Sequence, residues 1–217
     1  MITRRLPALA LLPVLLTACS DGSSTTAAPS STVPAASAPA PGVTLPPDAL
    51  SALVPAPDEV PAGMVLVVKG SGPRDLATVA GYSSSGAGAQ ATAARTAAAA
   101  KLRAHGFRKA YVAQYVNTAT GAVISVVAST FGNAAGATAD FADDEKVHSG
   151  TPTAVDKVGA ASSATVQTVP GSVAAQLLLL RFRQGTTTWS FAFQAAPSAD
   201  PAVAVALARL LVQRAPA

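Results

Sequence analysis

The sequence predicts an α+β domain: an antiparallel sheet built from hairpins with helices packed on one face, preceded by a signal peptide and a disordered tether. Three observations carry this prediction. β-Branched and aromatic runs come in pairs, Phe107–Val116 with Ala122–Phe131 and Gln176–Arg183 with Thr187–Gln194, and each pair is joined by turn-forming residues. A stretch with its own helix-start signal follows each pair. The first 47 residues show neither pattern. Strands gathered in hairpins and followed by helices mark α+β organisation, whereas single strands alternating with helices would mark a parallel sheet.

The chain opens on a short basic segment, Arg4 and Arg5, followed by an unbroken apolar stretch from Leu6 to Leu16 and then Thr17, Ala18 and Cys19. That stretch is too short for the ~30 Å hydrocarbon core, which needs about 20 apolar residues, and it has the layout of a cleavable export signal. Leu16-Thr17-Ala18-Cys19 resembles the bacterial lipobox. The resemblance implies a signal peptide over 1–18, cleavage between Ala18 and Cys19, and diacylglycerol on the Cys19 thiol, with palmitate-type acyl chains at the new N-terminus. Acyl chains contribute ~0.8 kcal/mol per buried CH₂, and two or more hold a protein stably on a membrane. Cys19 is the only cysteine, so the folded part has neither an internal disulfide nor a cysteine-cluster metal site.

Residues 19–47 are almost wholly Ser, Thr, Ala, Pro and Gly after the cysteine, with Asp21 the only charge before Asp48 and no aromatic residue. Such a segment buries too little apolar surface to offset its ordering entropy and is expected to be a disordered spacer, of a composition that also suits O-glycosylation. Residues 48–217 are expected to form one domain, compact from about Val60. A short helix is expected near Asp48–Leu53, and Met64–Val68 reads as a buried strand closed by Lys69-Gly70. Arg74–Ala80 reads as a short helix capped near Ser71 or Gly72. Ala89–Ala104 is alanine-dense, alanine being the best helix former, and Gly106 occupies the position past its C-terminus.

In the first hairpin Phe107, Tyr111, Ala113 and Tyr115 fall on one face, and Asn117–Gly121 supplies the turn. Asn133 caps a helix running to about His148. In the second hairpin Trp189, Phe191 and Phe193 share a face, and Asp200-Pro201 then provides a cap and a proline at the first helical position for a helix over Ala202–Arg214. Hairpin followed by helix occurs twice, which hints at internal duplication.

Charged residues make up 12% of the chain, about half the usual ~25%. That excludes a nucleic-acid binder built on dense Lys and Arg. The formal net charge of +4 falls toward neutrality once Arg4 and Arg5 are removed. The only two histidines, His105 and His148, sit at predicted helix C-termini, where the helix dipole favours a partly cationic ring by ~0.3–1 kcal/mol. Neither has an evident orienting acid. Asp140, Asp143 and Asp144 share a helix face, as a hard cation would require, without the further oxygen ligands it needs. Gly86-Ala87-Gly88-Ala89-Gln90-Ala91 matches a dinucleotide-loop string but lacks the preceding strand and the later acid. Gly81–Ser85 lacks the final glycine of a nucleophile elbow. No catalytic residue, cofactor or metal ligand is therefore assigned. Arg181 and Arg183 read as a solvated sheet face. Trp189, Phe191 and Phe193 read as a core strip that, incompletely covered by small-residue helices, would face an apolar ligand.

Lipobox, Ser/Thr/Ala/Pro tether and α+β domain together resemble the exported lipoproteins of high-GC actinobacteria. Leu180–Gly185, a following strand and Asp200-Pro201 with its alanine/leucine helix are similar to a recurring ending among them, and a Mog1/PsbP-like fold is an analogy for such lipoproteins. The resemblance implies location and build: a lipid-anchored protein on the extracytoplasmic face of the cell membrane. The expected function is a non-catalytic domain that binds a lipid or small amphiphile. The alternative is an interaction or assembly module with an envelope protein as partner and no ligand cavity.

Overall fold

A computed structural model of the chain describes residues 44–84, 86–147, 150–170 and 174–215. The expected signal peptide, the Ala18–Cys19 cleavage site, the tether as far as residue 43, and His148 lie outside the described residues.

The hairpins form where the alternation places them. Strand β3 (Phe107–Val116) pairs along its length with β4 (Val123–Phe131), and β7 (Ala175–Gln184) pairs with β8 (Thr187–Ala195). Asn117 closes the first turn: its Oδ1 accepts from the backbone N–H of Ala119 and Thr120. The hairpins join through β4 and β8, with Val126 opposite Phe191, so these two strands form the middle of one antiparallel sheet. β6 (Ala161–Val169) extends it beyond β7, and β5 (Thr151–Pro152) caps part of β6. On the other side β1 (Val65–Leu66) and β2 (Gly72–Arg74) share the outer edge of β3.

Met64–Val68 is not the buried strand expected. Only Val65 and Leu66 pair, Val65 is exposed, and Val68 opens a 3₁₀ turn to Gly70. Leu66 reaches the core and Met64 packs against it, while Val65 and Val68 are left exposed at the outer edge of the sheet. Helix α1 (Leu76–Gly81) also starts later than expected. Asp75 is its cap, accepting from the Thr78 N–H at 2.8 Å, because Gly72–Arg74 is committed to β2. Helix α2 (Ala89–Ala104) lies where alanine density and Gly106 put it, and α3 (Ala134–Val147) and α4 (Pro201–Gln213) begin where Asn133 and Asp200-Pro201 put them. Asn133 Oδ1 accepts from Gly136 N–H, and Asp200 Oδ1 accepts from Ala202 N–H.

The helices occupy both faces of the sheet, which corrects the one-face expectation. On one face Trp189, Phe191, Phe193, Leu178, Leu180, Phe182, Ile124, Val126, Tyr111 and Tyr115 pack under α4, through Val205, Leu207 and Leu211, and under Leu45, Leu53, Val54 and Val60. On the other face Phe107, Ala110 and Phe131 pack with Leu76 of α1, Leu102 of α2 and Ala137 of α3. The reason lies in β3 and β4, which carry apolar or small side chains on both sides and so give each face something to bury. A bulge between Phe107 and Lys109 turns Phe107 to the face opposite Tyr111, edge-on to Phe131 with ring centroids 6.0 Å apart.

The two-sided arrangement also bears on the hint of duplication. A dyad relating antiparallel β4 and β8 runs through the sheet and preserves its faces, whereas α3 and α4 lie on opposite faces.

Packing begins upstream of Val60. The Tyr111 hydroxyl donates to the Pro46 carbonyl at 2.6 Å, the Tyr115 hydroxyl to the Pro55 carbonyl, and the Trp189 indole N–H to the Leu53 carbonyl at 2.7 Å. Residues 45–60 thus form a strap across the aromatic face. Among the described residues no helix is long and apolar enough to cross a membrane.

Candidate functional site

The aromatic strip on β8 is the centre of a filled core. Trp189, Phe191 and Phe193 are 1%, 1% and 8% exposed. Trp189 stacks on Phe182 of β7 at 5.0 Å with an interplanar angle of 9°. Phe191 sits in register between Leu180 and Val126. None of the three lines either of the two clefts that open near β5. Their expected role as ligand-facing residues is therefore corrected to packing. The alanine-rich helix that would have left room, α2, lies on the other face, and α4 brings Val205, Leu207 and Leu211 instead.

The ionisable groups converge on the other face, between α2, α3 and the hairpin β7–β8. His105 ends α2, and its ring lies between two acids of α3, with Nδ1 3.8 Å from Asp140 Oδ1 and Nε2 3.5 Å from Asp143 Oδ2. Gly136 makes this approach possible: a Cβ there would stand 1.9 Å from the His105 carbonyl oxygen. One turn along α3, Asp140 Oδ2 accepts from the Thr188 hydroxyl at 3.3 Å. Asp144 Oδ2 lies 3.7 Å from Arg181 Nε, and its carbonyl accepts from Arg181 Nη1 at 3.3 Å. Arg181 is 6% exposed, so the solvated sheet face expected for it is covered by α3.

The electrostatics differ sharply within this cluster. Burial, with Asp144 and Asp143 nearby, pushes the Asp140 carboxyl up to about 7, only partly opposed by the Thr188 hydrogen bond and Arg181. Asp143 is held below the usual carboxylate range by hydrogen bonds from Lys146 and Lys101. Burial lowers Arg181, and the charges of Asp144, Glu145 and Asp140 act against that.

A nucleophilic triad needs a hydroxyl or thiol on one imidazole nitrogen and an acid on the other. Here both ring nitrogens face carboxylates, and the Thr188 hydroxyl donates to Asp140. The arrangement ties α2, α3 and the sheet together and places no activated nucleophile. Among the described residues no group of three or more His, Cys, Asp and Glu side chains is placed to hold a metal ion. Gly86–Ala91 runs from the α1–α2 connection into the first turn of α2, so a helix and not the strand that dinucleotide binding requires comes before it. Two clefts open near β5: one of about 310 Å³ beside Glu145, Ser163, Thr165 and Arg181, and one of about 810 Å³ beside Thr151, Thr168, Gln176 and Ser198. Both have hydroxyl-bearing linings and no aromatic platform.

Sequence reasoning missed the meeting of His105 with Asp140 and Asp143. The available signal was Gly136, a glycine in the first turn of a predicted helix, where close backbone approach explains its presence.

No protein-family model matches the chain, and no curated protein matches it. Among solved structures the chain is similar to the extracellular domain of PknH from Mycobacterium tuberculosis, at 13% identity and a TM-score of 0.41, covering 53% of this chain and 68% of that one.

Proposed function

We propose that this chain is an exported lipoprotein, held by acylated Cys19 on the extracytoplasmic face of the cell membrane, whose non-catalytic domain works by binding at its surface as an interaction module of the cell envelope. The observation that carries the proposal is the order of residues at the N-terminus: basic pair, apolar stretch, Leu16-Thr17-Ala18 and the sole cysteine. The filled core supports the interaction module over the carrier of an apolar ligand, since Trp189 and Phe191 are enclosed by side chains that leave no space for an acyl chain. The bracketing of His105 by two acids supports a structural over a catalytic role for the polar cluster.

The experiment is intact-mass and N-terminal peptide analysis of the protein extracted from membranes of a bacterium that processes lipoproteins. The expected product begins at Cys19 and carries diacylglycerol, and a Cys19→Ala chain is expected to lose both the acyl mass and cleavage after Ala18. A native chain recovered from the cytosol with Met1 intact, or membrane-bound with an unmodified Cys19, overturns the proposal.

A further inference from the structure

The large hydrophobic side chains that stand exposed among the described residues, Val65, Val68 and Tyr82, are 52%, 49% and 42% exposed, and all belong to the stretch from β1 to the end of α1. The segment that carries them is rich in cations. Residues 65–108 carry Lys69, Arg74, Arg95, Lys101, Arg103 and Arg108 against a single acid, Asp75, which is occupied as the cap of α1. Lys101 pairs with Asp143. Arg74 and Arg95 are held by neutral partners instead. Arg74 donates to the Gly70 carbonyl at 2.7 Å and to the Tyr82 hydroxyl at 3.2 Å, and Arg95 donates to Ser84 Oγ at 3.2 Å and to the Gly86 carbonyl. These bonds place Arg74 against Tyr82 and against Gly70, the last residue of the turn that carries Val68 and Lys69, and place Arg95 against the loop that follows Tyr82. Among the described residues neither the Arg74 nor the Arg95 guanidinium forms an ion pair with a carboxylate, and both are held in place by these bonds.

The tether enters the fold at the same place. A Cβ built at Gly72 would lie 3.6 Å from Arg74 Nη1 and 3.7 Å from Pro46 Cγ, so Pro46, close to the first described residue, lies beside the patch.

We propose that this patch docks on the anionic lipid headgroups of the bilayer in which the acyl anchor sits, a second and reversible attachment that lays the domain down on its β1–α1 side. The proposal rests on the lipoprotein reading above. Each basic side chain at an anionic surface favours association by a factor of roughly five. Aliphatic and aromatic side chains beside the cations enter the headgroup region. Because the anchor makes docking intramolecular, a surface too weak to bind free in solution is sufficient.

The test uses the full lipidated protein reconstituted in phosphatidylglycerol-rich vesicles and in pure phosphatidylcholine vesicles, with hydrogen exchange read at low and high salt. Flotation with both vesicle types at high salt reports the anchor, and failure to float overturns the lipoprotein reading alone. Docking is expected to slow exchange at least several-fold over residues 65–74 and 82–95, on anionic vesicles and at low salt only. Lys69→Glu with Val68→Asp is expected to abolish that protection while flotation persists, whereas Lys157→Glu is expected to leave it unchanged. Equal protection on both vesicle types, protection that survives high salt, or protection in lipid-free detergent, which would mark contact between copies of the chain, overturns the proposal. The salt and lipid comparisons on the unaltered chain decide the question even where a variant fails to fold.

Discussion

Asp140 is shut beneath α3 with Asp143 and Asp144 on the same helix, and desolvation together with those two charges keeps its proton on up to about pH 7. In the unfolded chain the same group ionises near 3.8. Below about pH 4 both forms are protonated and nothing is lost. Between about 4 and 7 the folded form holds a proton that the unfolded form gives up, so stability falls as pH rises; above 7 the cost is fully present. Asp140→Asn keeps an acceptor for Thr188 and is expected to remove this slope, leaving the variant about 2 kcal/mol more stable than the parent at pH 8 relative to the same comparison at pH 4. Denaturant midpoints at the two pH values check it, and an unchanged slope in the variant refutes the assignment. Little of this cluster was legible in the sequence. His105 and Asp140 lie in different helices, and only the fold, through the close approach at Gly136, makes them neighbours. Arg181 misled for a different reason: Arg181 and Arg183 flanking Phe182 mark the second face of a strand without revealing that a helix covers it.

The hairpins and the capped helices were legible because their signals are local. Alternation, turn residues and caps act within a few residues of one another. Asp200 shows how much one such signal carries: its carboxylate accepts from the Ala202 N–H at 2.8 Å at the start of the helix that closes the aromatic face. Asp200→Ala is expected to cost about 1 kcal/mol in thermal or denaturant unfolding. A loss below about 0.3 kcal/mol would show that the first turn of α4 is held by packing alone. Elements whose residues lack such signals were missed. β6, Ala161–Val169, is a run of small and hydroxyl-bearing side chains whose place is set by pairing with β7. Val65 and Val68 have the composition of a buried strand and lie exposed at an edge of the described sheet. Which face a helix takes was equally hidden, since β3 and β4 offer a buriable surface on both sides.

Two core layers share one sheet, and β3 and β4 contribute to both, so neither layer retains its support when the other opens. The described residues are expected to unfold in a single transition, with near-ultraviolet signals from Trp189 and far-ultraviolet signals from the helices coinciding. Two separated midpoints would show that the α1–α3 layer melts independently. The strap over residues 45–60 is fastened by Tyr111, Tyr115 and Trp189 to three carbonyls spread along it. A pull arriving through the N-terminal end of the chain loads those fastenings one after another before it reaches any strand, and because Leu53, Val54 and Val60 belong to the core beneath, peeling the strap bares the aromatic face.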